Sequence, residues 1–141
     1  MACWLYQMNA EKKFSLERYR VEVWEGQLVT NWTIGEGKRK PTEISPGDMI
    51  ILSFVKSGTP SPGIYGWGII TSFYKEDEDI DFRPTSPSDY LKMNPVPENE
   101  VSGIIDKIRG RMTQLTMFKV DEKEFKELRQ KIAGHVYGIT P

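Results

Sequence analysis

Histidine and cysteine are almost absent from this chain of 141 residues, which contains only His135 and Cys3. Zinc sites of the Cys/His type need about four such ligands, so one chain cannot build one, and no intrachain disulfide can form. One histidine and one cysteine also leave few groups for nucleophilic or acid–base catalysis. Because His135 follows the last predicted helix with no obvious acidic neighbour, we interpret it as exposed or packed. The composition favours binding over catalysis, with no metal and no cofactor expected.

Long apolar runs are also missing. No stretch approaches the roughly 18 apolar residues of a membrane span, and the N-terminus lacks the basic and apolar regions of a signal peptide. We therefore expect a soluble, cytoplasmic protein with no membrane partner. Hydrophobic residues make up 38% of the chain, which is enough for a core. The length corresponds to one domain over residues 1–141.

Net charge is nearly absent as well, since 19 Lys and Arg oppose 20 Asp and Glu for a formal charge of -1. This balance conceals a segregation, because residues 76–101 carry eight acidic and only two basic side chains. The segments on either side each have a small basic excess. If the acidic segment is a solvated loop, the remaining surface is mildly basic, which permits phosphate contacts without requiring them.

Strand-forming composition dominates most of the chain. Apolar and β-compatible runs predict strands over residues 3–8, 28–34, 49–55, 64–74 and 115–120, with shorter candidates at residues 22–24 and 90–93. Most of the stretch between residues 76 and 97 is interpreted as surface loop. Gly66 and Gly68 remove side chains from one face of their strand, which favours a bulge, a neighbouring backbone or a ligand close by.

Helices are predicted at three places. One or two helical turns are predicted over residues 14–19. Apolar residues follow helical spacing over residues 101–108, which predicts a second helix. The clearest signal is the last helix, where Asp121 and Glu124 form a capping box and Gly134 is expected to end the helix. Strands that outnumber helices in this way indicate a small α+β, barrel-like domain.

Two segments contain ligand-binding residue types but have the wrong spacing for the sites concerned. The acidic run at residues 76–81 lacks the glycine and the closing glutamate of a calcium loop, so we interpret it as a solvated loop. Residues 35–38 contain two glycines and a lysine, but their spacing is not that of a phosphate-binding Walker loop. A nucleoside triphosphate site of that kind is excluded.

All four tryptophans fall in the first half of the chain. We expect Trp4 and Trp24 to be core residues, because burial is the usual state of an indole. Trp32 stands where an apolar strand meets the basic residues 38–40, and an indole at such a rim can stack on a base while cations hold phosphates. For Trp32 this position and core packing are equally open. For Trp67, cross-strand packing is slightly favoured.

Several segments, in order along the chain, resemble the EVE domain. This domain belongs to the PUA-like superfamily, which also contains the YTH readers of methylated adenine in RNA. The matching segments are Trp4-Leu5-Tyr6-Gln7 with Asn9, Trp32 before a basic loop, the Gly-Asp turn and strand at residues 44–51, the glycine-rich strand at residues 62–70, and the closing strand and helix at residues 115–132. The resemblance covers most of the chain. It implies an α+β fold: a PUA-like β-barrel of about five to seven strands with two or three flanking helices.

The resemblance also implies a function. EVE and YTH domains accept a modified nucleobase into a pocket at the mouth of the barrel, and bacterial EVE domains are often linked to restriction of modified DNA. We therefore expect a non-catalytic module that binds a modified, typically methylated, base of DNA or RNA. A nuclease or other effector is the further partner class implied, in modification-dependent defence or RNA metabolism.

Seven positions of this sequence are candidates for the site that the resemblance implies. A flipped base needs aromatic faces, polar groups for its Watson–Crick edge and cations for its phosphates. The implied assignments are stacking by Trp32, edge reading by Asn9 and Asn31, a second aromatic wall from Tyr65 or Trp67, and phosphate contacts from Lys38 and Arg39. Of Tyr65 and Trp67, we expect only one to face the pocket.

Two other functions stay open at this point. Related folds host reactions on nucleobases or nucleotides, so the chain could be a small PUA-like enzyme, although its shortage of acid–base groups argues against this. Exposed aromatic residues could instead make it a protein-interaction adaptor.

Overall fold

The computed structural model describes residues 1–8, 28–33, 43–54, 63–85, 88–110 and 117–138. The predicted helical turn at residues 14–19, the short strand at residues 22–24 and Trp24 lie outside these ranges. The described elements, in chain order, are β1 (Cys3–Met8), β2 (Val29–Thr33), β3 (Met49–Phe54), β4 (Gly63–Tyr74), β5 (Asp79–Pro84), α1 (Ser88–Leu91), β6 (Val96–Pro97), α2 (Glu98–Gly110), β7 (Met117–Val120) and α3 (Glu122–Tyr137).

The strands form one mixed sheet in the order β2-β5-β4-β3-β1-β7, and the short β6 pairs with the start of β4. The neighbours β1 and β3 run parallel, whereas the other pairs are antiparallel. The predicted α+β class and the number of strands are confirmed. The expected closed barrel is not, because among the described strands the two ends of the order, β2 and β7, do not pair with each other.

Side chains of alternating direction give the sheet two buried faces. One face carries a cluster rich in aromatic rings, which we call the aromatic-face cluster: Trp4, Tyr6, Val29, Trp32, Ile44, Ile50, Leu52, Phe54, Tyr65, Ile70, Ile80, Phe82 and Met117. The other face packs against α2 and α3, and we call it the helix-face cluster: Cys3, Leu5, Ile51, Ile64, Trp67, Leu91, Val96, Val101, Ile105, Ile108, Phe118, Val120, Leu128 and Ile132. As predicted, Trp4 is a core residue, with 2% of its surface exposed.

Helix α3 begins as its sequence predicts and ends later. The carboxylate of Asp121 accepts a hydrogen bond from the Glu124 N–H, and the Glu124 side chain accepts one from the Asp121 N–H, which completes the capping box. Gly134 does not end the helix. The helix continues to Tyr137, and Gly138 closes it in the left-handed conformation with its N–H donating to the Gly134 carbonyl. A glycine inside a helix is tolerated, whereas the left-handed closing position selects for one.

The segment interpreted mostly as surface loop contains a strand. Residues 79–84 form β5 between β2 and β4, so part of the acidic run is sheet rather than loop. Asp81 is buried, and its carboxylate accepts a hydrogen bond from the Tyr74 hydroxyl, 2.9 Å away. The predicted short strand at residues 90–93 is also wrong, since residues 88–91 form α1 and a turn follows. Within the described segments, none of the helices has the length and apolar character to cross a membrane.

Candidate functional site

Trp32 lies where β1, β2 and β5 meet on the aromatic face. In β2, Trp32 pairs with Ile80 of β5, after a register irregularity that separates it from the pair formed by Val29 and Phe82. Its ring makes edge-to-face contacts with Tyr6, at 5.9 Å between centroids, and with Phe82, at 5.6 Å. Trp32 is only 5% exposed. The structure thus places its indole among core aromatic residues, and its role as the stacking group stays a prediction.

Tyr65 and Trp67 lie on opposite faces of the sheet. Residues two apart in a regular strand share a face, but the register between β3 and β4 shifts between Leu52 and Ser53, opposite Tyr65. Tyr65 therefore joins the aromatic-face cluster, where its ring lies 5.1 Å from that of Phe54 in an edge-to-face contact. Trp67 joins the helix-face cluster. Of the two alternatives for a second wall, Tyr65 shares a cluster with Trp32 and Trp67 does not.

The helix side of the sheet holds Trp67 against α3. Its ring centroid lies 5.6 Å from that of Phe125, with the planes inclined by 52°. Trp67 is thus a core residue whose ring contacts a helix, and the cross-strand packing that the sequence slightly favoured stays a prediction.

Of the remaining predicted site residues, Asn31 alone lies within the described ranges. Asn31 lies within β2, next to Trp32, but only its backbone falls within the described structure. Asn9, Lys38 and Arg39 lie outside the described residues. Their assignments as edge-reading and phosphate-binding groups stay predictions.

Asp48 is a buried carboxylate that the sequence analysis did not select. Its oxygens accept hydrogen bonds from the Ala2 N–H at 3.0 Å, the Trp4 indole N–H at 3.0 Å and the Ser45 N–H at 2.9 Å. Burial alone would raise the pKa of Asp48, but these three hydrogen bonds, together with the positive charge of the N-terminal amino group, outweigh it and hold the pKa below its ordinary value. These three hydrogen bonds indicate a structural anchor between β1 and the start of β3. The turn residues just before Asp48 were the feature of the sequence that could have pointed to this role.

The two groups that the sequence left for nucleophilic or acid–base chemistry, Cys3 and His135, both lie on the helix side of the sheet. Burial, with a smaller contribution from the charge of Asp48, raises the pKa of the Cys3 thiol to about 12, so Cys3 is a thiol at neutral pH. His135 is on α3, on the side of the sheet away from Trp32, where its Nε2 lies 2.8 Å from the Asn94 carbonyl oxygen. Its ring also packs edge-to-face on Tyr90. His135 is thus packed, one of the two states expected for it.

Ser53 lies on the helix side of β3, beside Val101 and Ile105, and its hydroxyl is tied into the sheet. The Ser53 hydroxyl donates to the Tyr6 carbonyl at 3.0 Å, and Ser53 is buried beside the register shift that redirects Tyr65. Tyr6 in turn contacts Trp32. Sequence composition could not reveal that Tyr6 and Phe82 would flank Trp32, because these residues come from three separate strands. The only available signal was the alternation of apolar residues within each strand.

Comparison with known proteins shows similarity at the level of structure alone. No protein-family model matches the chain, and no curated protein matches it in sequence. A hypothetical protein from Leishmania major is 16% identical with a TM-score of 0.62, covering 94% of this chain and 95% of its own. The human THYN1 protein, solved in complex with 5-methylcytosine-containing DNA, is 13% identical with a TM-score of 0.60, covering 91% and 95%. A Pseudomonas putida protein is 15% identical with a TM-score of 0.55, covering 92% and 99%.

These likenesses extend over nearly the whole of each chain, so they concern the complete arrangement of strands and helices rather than one motif. They show that this chain shares the α+β fold of these proteins, with a mixed sheet and flanking helices. At these identities the comparison establishes the fold, and the ligand must be argued from the site.

Proposed function

We propose that this protein is a non-catalytic, EVE-like module that binds a modified, typically methylated, base in a nucleic acid. The observation that carries the proposal is that Trp32 and Tyr65 belong to one aromatic-face cluster. The fold is one that a structural neighbour, human THYN1, shows in complex with 5-methylcytosine-containing DNA. Neither observation concerns catalysis, and the protonated Cys3 thiol and the distant His135 agree with a binding role.

The physical basis of the proposal is the set of aromatic rings around Trp32. A base that leaves a stack loses a few kcal/mol of stacking and pairing energy, which contacts with aromatic side chains must offset. The neighbours Tyr6 and Phe82 meet Trp32 edge-to-face rather than in parallel stacks. Edge-to-face neighbours hold an indole in a fixed orientation. We propose that Trp32 stacks on the base and that Tyr65 supplies the second wall.

The polar groups of the proposed site are assigned from the sequence. Asn31 is adjacent to Trp32 in β2, and Asn9 directly follows β1. We propose both as groups that read the edge of the base, with Lys38 and Arg39 as phosphate contacts. An effector such as a nuclease, and a cytoplasmic location, belong to the same proposal.

Titration with matched oligonucleotides tests the proposed function. Oligonucleotides of one sequence would carry cytosine, 5-methylcytosine, adenine or N6-methyladenine, each as DNA and as RNA, and binding would be followed by fluorescence anisotropy. We expect one modified form to bind more tightly than its unmodified counterpart. Equal affinity for every form would refute base recognition, and turnover of a modified nucleoside by the protein would refute the non-catalytic assignment.

A further inference from the structure

A second surface, on the side of the sheet opposite Trp32, has the composition of a protein-binding site. A groove of about 800 Å³ between α2 and α3 is lined largely by polar and charged side chains, but a separate groove of about 500 Å³ is different. We call the latter the aromatic groove, and its main lining residues are Met49, Trp67, Phe125, Arg129, Ile132 and Tyr137.

The aromatic groove is built from fixed and exposed parts. Its floor is rigid, because Trp67 and Ile132 are buried and Trp67 packs on Phe125. Tyr137 at the end of α3 is 60% exposed. Ile69, the cross-strand partner of Met49, is 40% exposed, so the apolar surface extends onto the sheet. Contiguous exposed apolar surface beside a rigid floor marks an interaction site.

The residue types are those enriched at the centres of protein interfaces. Aromatic residues, Met and Arg are over-represented there, whereas Lys, Glu, Asp and Ser are depleted. Trp, Tyr and Arg in particular contribute most of the binding energy where they surround a desolvated pocket. The aromatic groove contains one of each, in Trp67, Tyr137 and Arg129.

Arg129 determines the charge of the partner. Among the described lining residues it is the one charged side chain, and it is exposed. Within the described part of the chain, Arg129 makes no hydrogen bond or ion pair. An arginine that has apolar walls beside it and no partner among the described residues is complementary to a carboxylate that arrives with an apolar side chain.

We infer that the aromatic groove binds a segment of a partner protein in which a large apolar side chain lies next to an Asp or Glu. The apolar side chain fills the space between Trp67, Phe125 and Tyr137, and the carboxylate pairs with the guanidinium of Arg129. This site does not depend on the proposed base-binding function, because the sheet separates it from Trp32.

The test uses the full chain and an array of short peptides. Each peptide carries Phe, Trp or Leu beside Asp or Glu, with matched versions that carry Asn, Gln or Lys instead of the acid. We expect the acidic versions to bind at least about tenfold more tightly than the amide versions. Arg129→Glu should reverse this preference in favour of the Lys peptides, and Tyr137→Ala should weaken all binding by about tenfold. Both residues are exposed, and thermal unfolding would verify that the variants fold.

Lys131→Glu is the matched control, because it reverses an exposed charge on the same helix but lines the other groove. It should leave peptide preference unchanged, as should Trp32→Phe on the opposite face. The inference is overturned if acidic and amide peptides bind alike or if Arg129→Glu keeps the original preference. Self-association that Arg129→Glu abolishes would show that a second copy of the chain occupies the groove instead. Loss of oligonucleotide binding in Arg129→Glu and Tyr137→Ala would assign the groove to the nucleic acid.

Discussion

At the scale of single residues, the aromatic face has two distinguishing features: its packed aromatic rings and the buried carboxylate of Asp48, which is bonded to Trp4. Trp32, Tyr6 and Phe82 meet there from three strands, and their contacts are edge-to-face. Such contacts add about 0.5–1.5 kcal/mol per pair beyond the burial of area. Trp32 therefore contributes to the core whether or not it also contacts a base, and an experiment must separate the two roles.

Replacing Trp32 with alanine separates them. We expect Trp32→Ala to weaken binding to the preferred modified oligonucleotide by about 1–3 kcal/mol if the indole stacks on the base. Deleting a buried aromatic ring also costs about 3–5 kcal/mol of folding free energy. Binding is therefore measured by anisotropy at a temperature where circular dichroism shows the variant folded, with Trp32→Phe as a milder substitution.

Trp67→Ala is the matched control for this substitution. Trp67 is also a buried tryptophan, 8% exposed, but it belongs to the helix-face cluster. It should lose stability of the same order while keeping its affinity for the oligonucleotide. A Trp32→Ala variant that is destabilised yet binds normally would show that Trp32 is a core residue only.

Asp48 makes stability depend on pH. Its folded pKa lies below the ordinary value, so between the folded and unfolded pKa values the unfolded state binds more protons. The contribution of Asp48 to stability is thus fully present above the unfolded pKa of about 3.9, and it is lost as pH falls through the folded pKa. Urea unfolding at several pH values should show this loss, and Asp48→Asn should flatten it.

At neutral pH, Asp48→Asn should lower the free energy of unfolding by about 1.5–3 kcal/mol, because an amide places a donor where N–H groups already point. Asp77→Asn, an exposed substitution in the turn between β4 and β5, serves as the control and should change stability by less than about 0.5 kcal/mol. An Asp48→Asn variant as stable as the wild type at pH 7 would contradict the anchoring role.

At the scale of elements, β4 is shaped by its neighbours more than by its own sequence. A methyl group on Gly68 would lie 2.9 Å from the Arg83 carbonyl oxygen and 3.2 Å from a ring carbon of Phe82. The close approach of β5 therefore explains this glycine. The pair Gly66 and Gly68 suggested a bulge, a neighbouring backbone or a nearby ligand. A neighbouring backbone explains Gly68, and a bulge occurs nearby at Tyr65.

Two glycine substitutions should have opposite effects. Gly68→Ala should destabilise the fold by about 1–3 kcal/mol, because the backbone of β5 must move. Gly103→Ala in α2 meets no atom within 4 Å and should stabilise it by about 0.5–1 kcal/mol through helix propensity. Thermal and urea unfolding measure both. Equal effects of the two substitutions would contradict the packing described for β4.

The whole molecule is nearly neutral, and this limits how it can hold a nucleic acid. With a formal charge of -1, general attraction to the phosphate backbone is weak, so under the proposed function most of the affinity comes from contacts with the base. The acidity is concentrated in residues 76–101, and the buried Asp81 shows that part of this segment is integrated into the sheet.

Salt dependence tests this at the molecular scale. If Lys38 and Arg39 are the phosphate contacts, the logarithm of the binding constant should fall with the logarithm of salt concentration with a slope of about -2 for duplex DNA. Lys38→Gln should reduce the slope by about one, whereas Lys131→Gln on the helix side should not change it. A much steeper slope in the wild type would mean that a broader basic surface binds the backbone.

The sequence by itself determined what depends on local patterns. Runs of β-compatible residues predicted β1 to β4 and β7, and the Asp121 and Glu124 pair predicted the start of α3, because period and capping act within a few residues. β5 was missed because its carboxylates indicate a loop when read alone. Only the pairing of β5 with β2 and β4, and the Tyr74 hydrogen bond to Asp81, explain why it is a strand.

Tertiary structure alone decided which residues share a surface. The register shift between β3 and β4 places Tyr65 in the aromatic-face cluster with Trp32, and Trp67 in the helix-face cluster. Tyr65 and Trp67 are only two positions apart in the sequence. The tertiary structure also brings Ala2, Trp4 and Ser45 to the carboxylate of Asp48. It places Arg129 beside Trp67 and Tyr137. Such neighbours come from distant parts of the chain, and sheet register and helix docking determine their proximity, which no local pattern encodes. The scarcity of histidine and cysteine first limited the chemistry of this chain, and the fold then buried Cys3 and placed His135 on the far side of the sheet from Trp32.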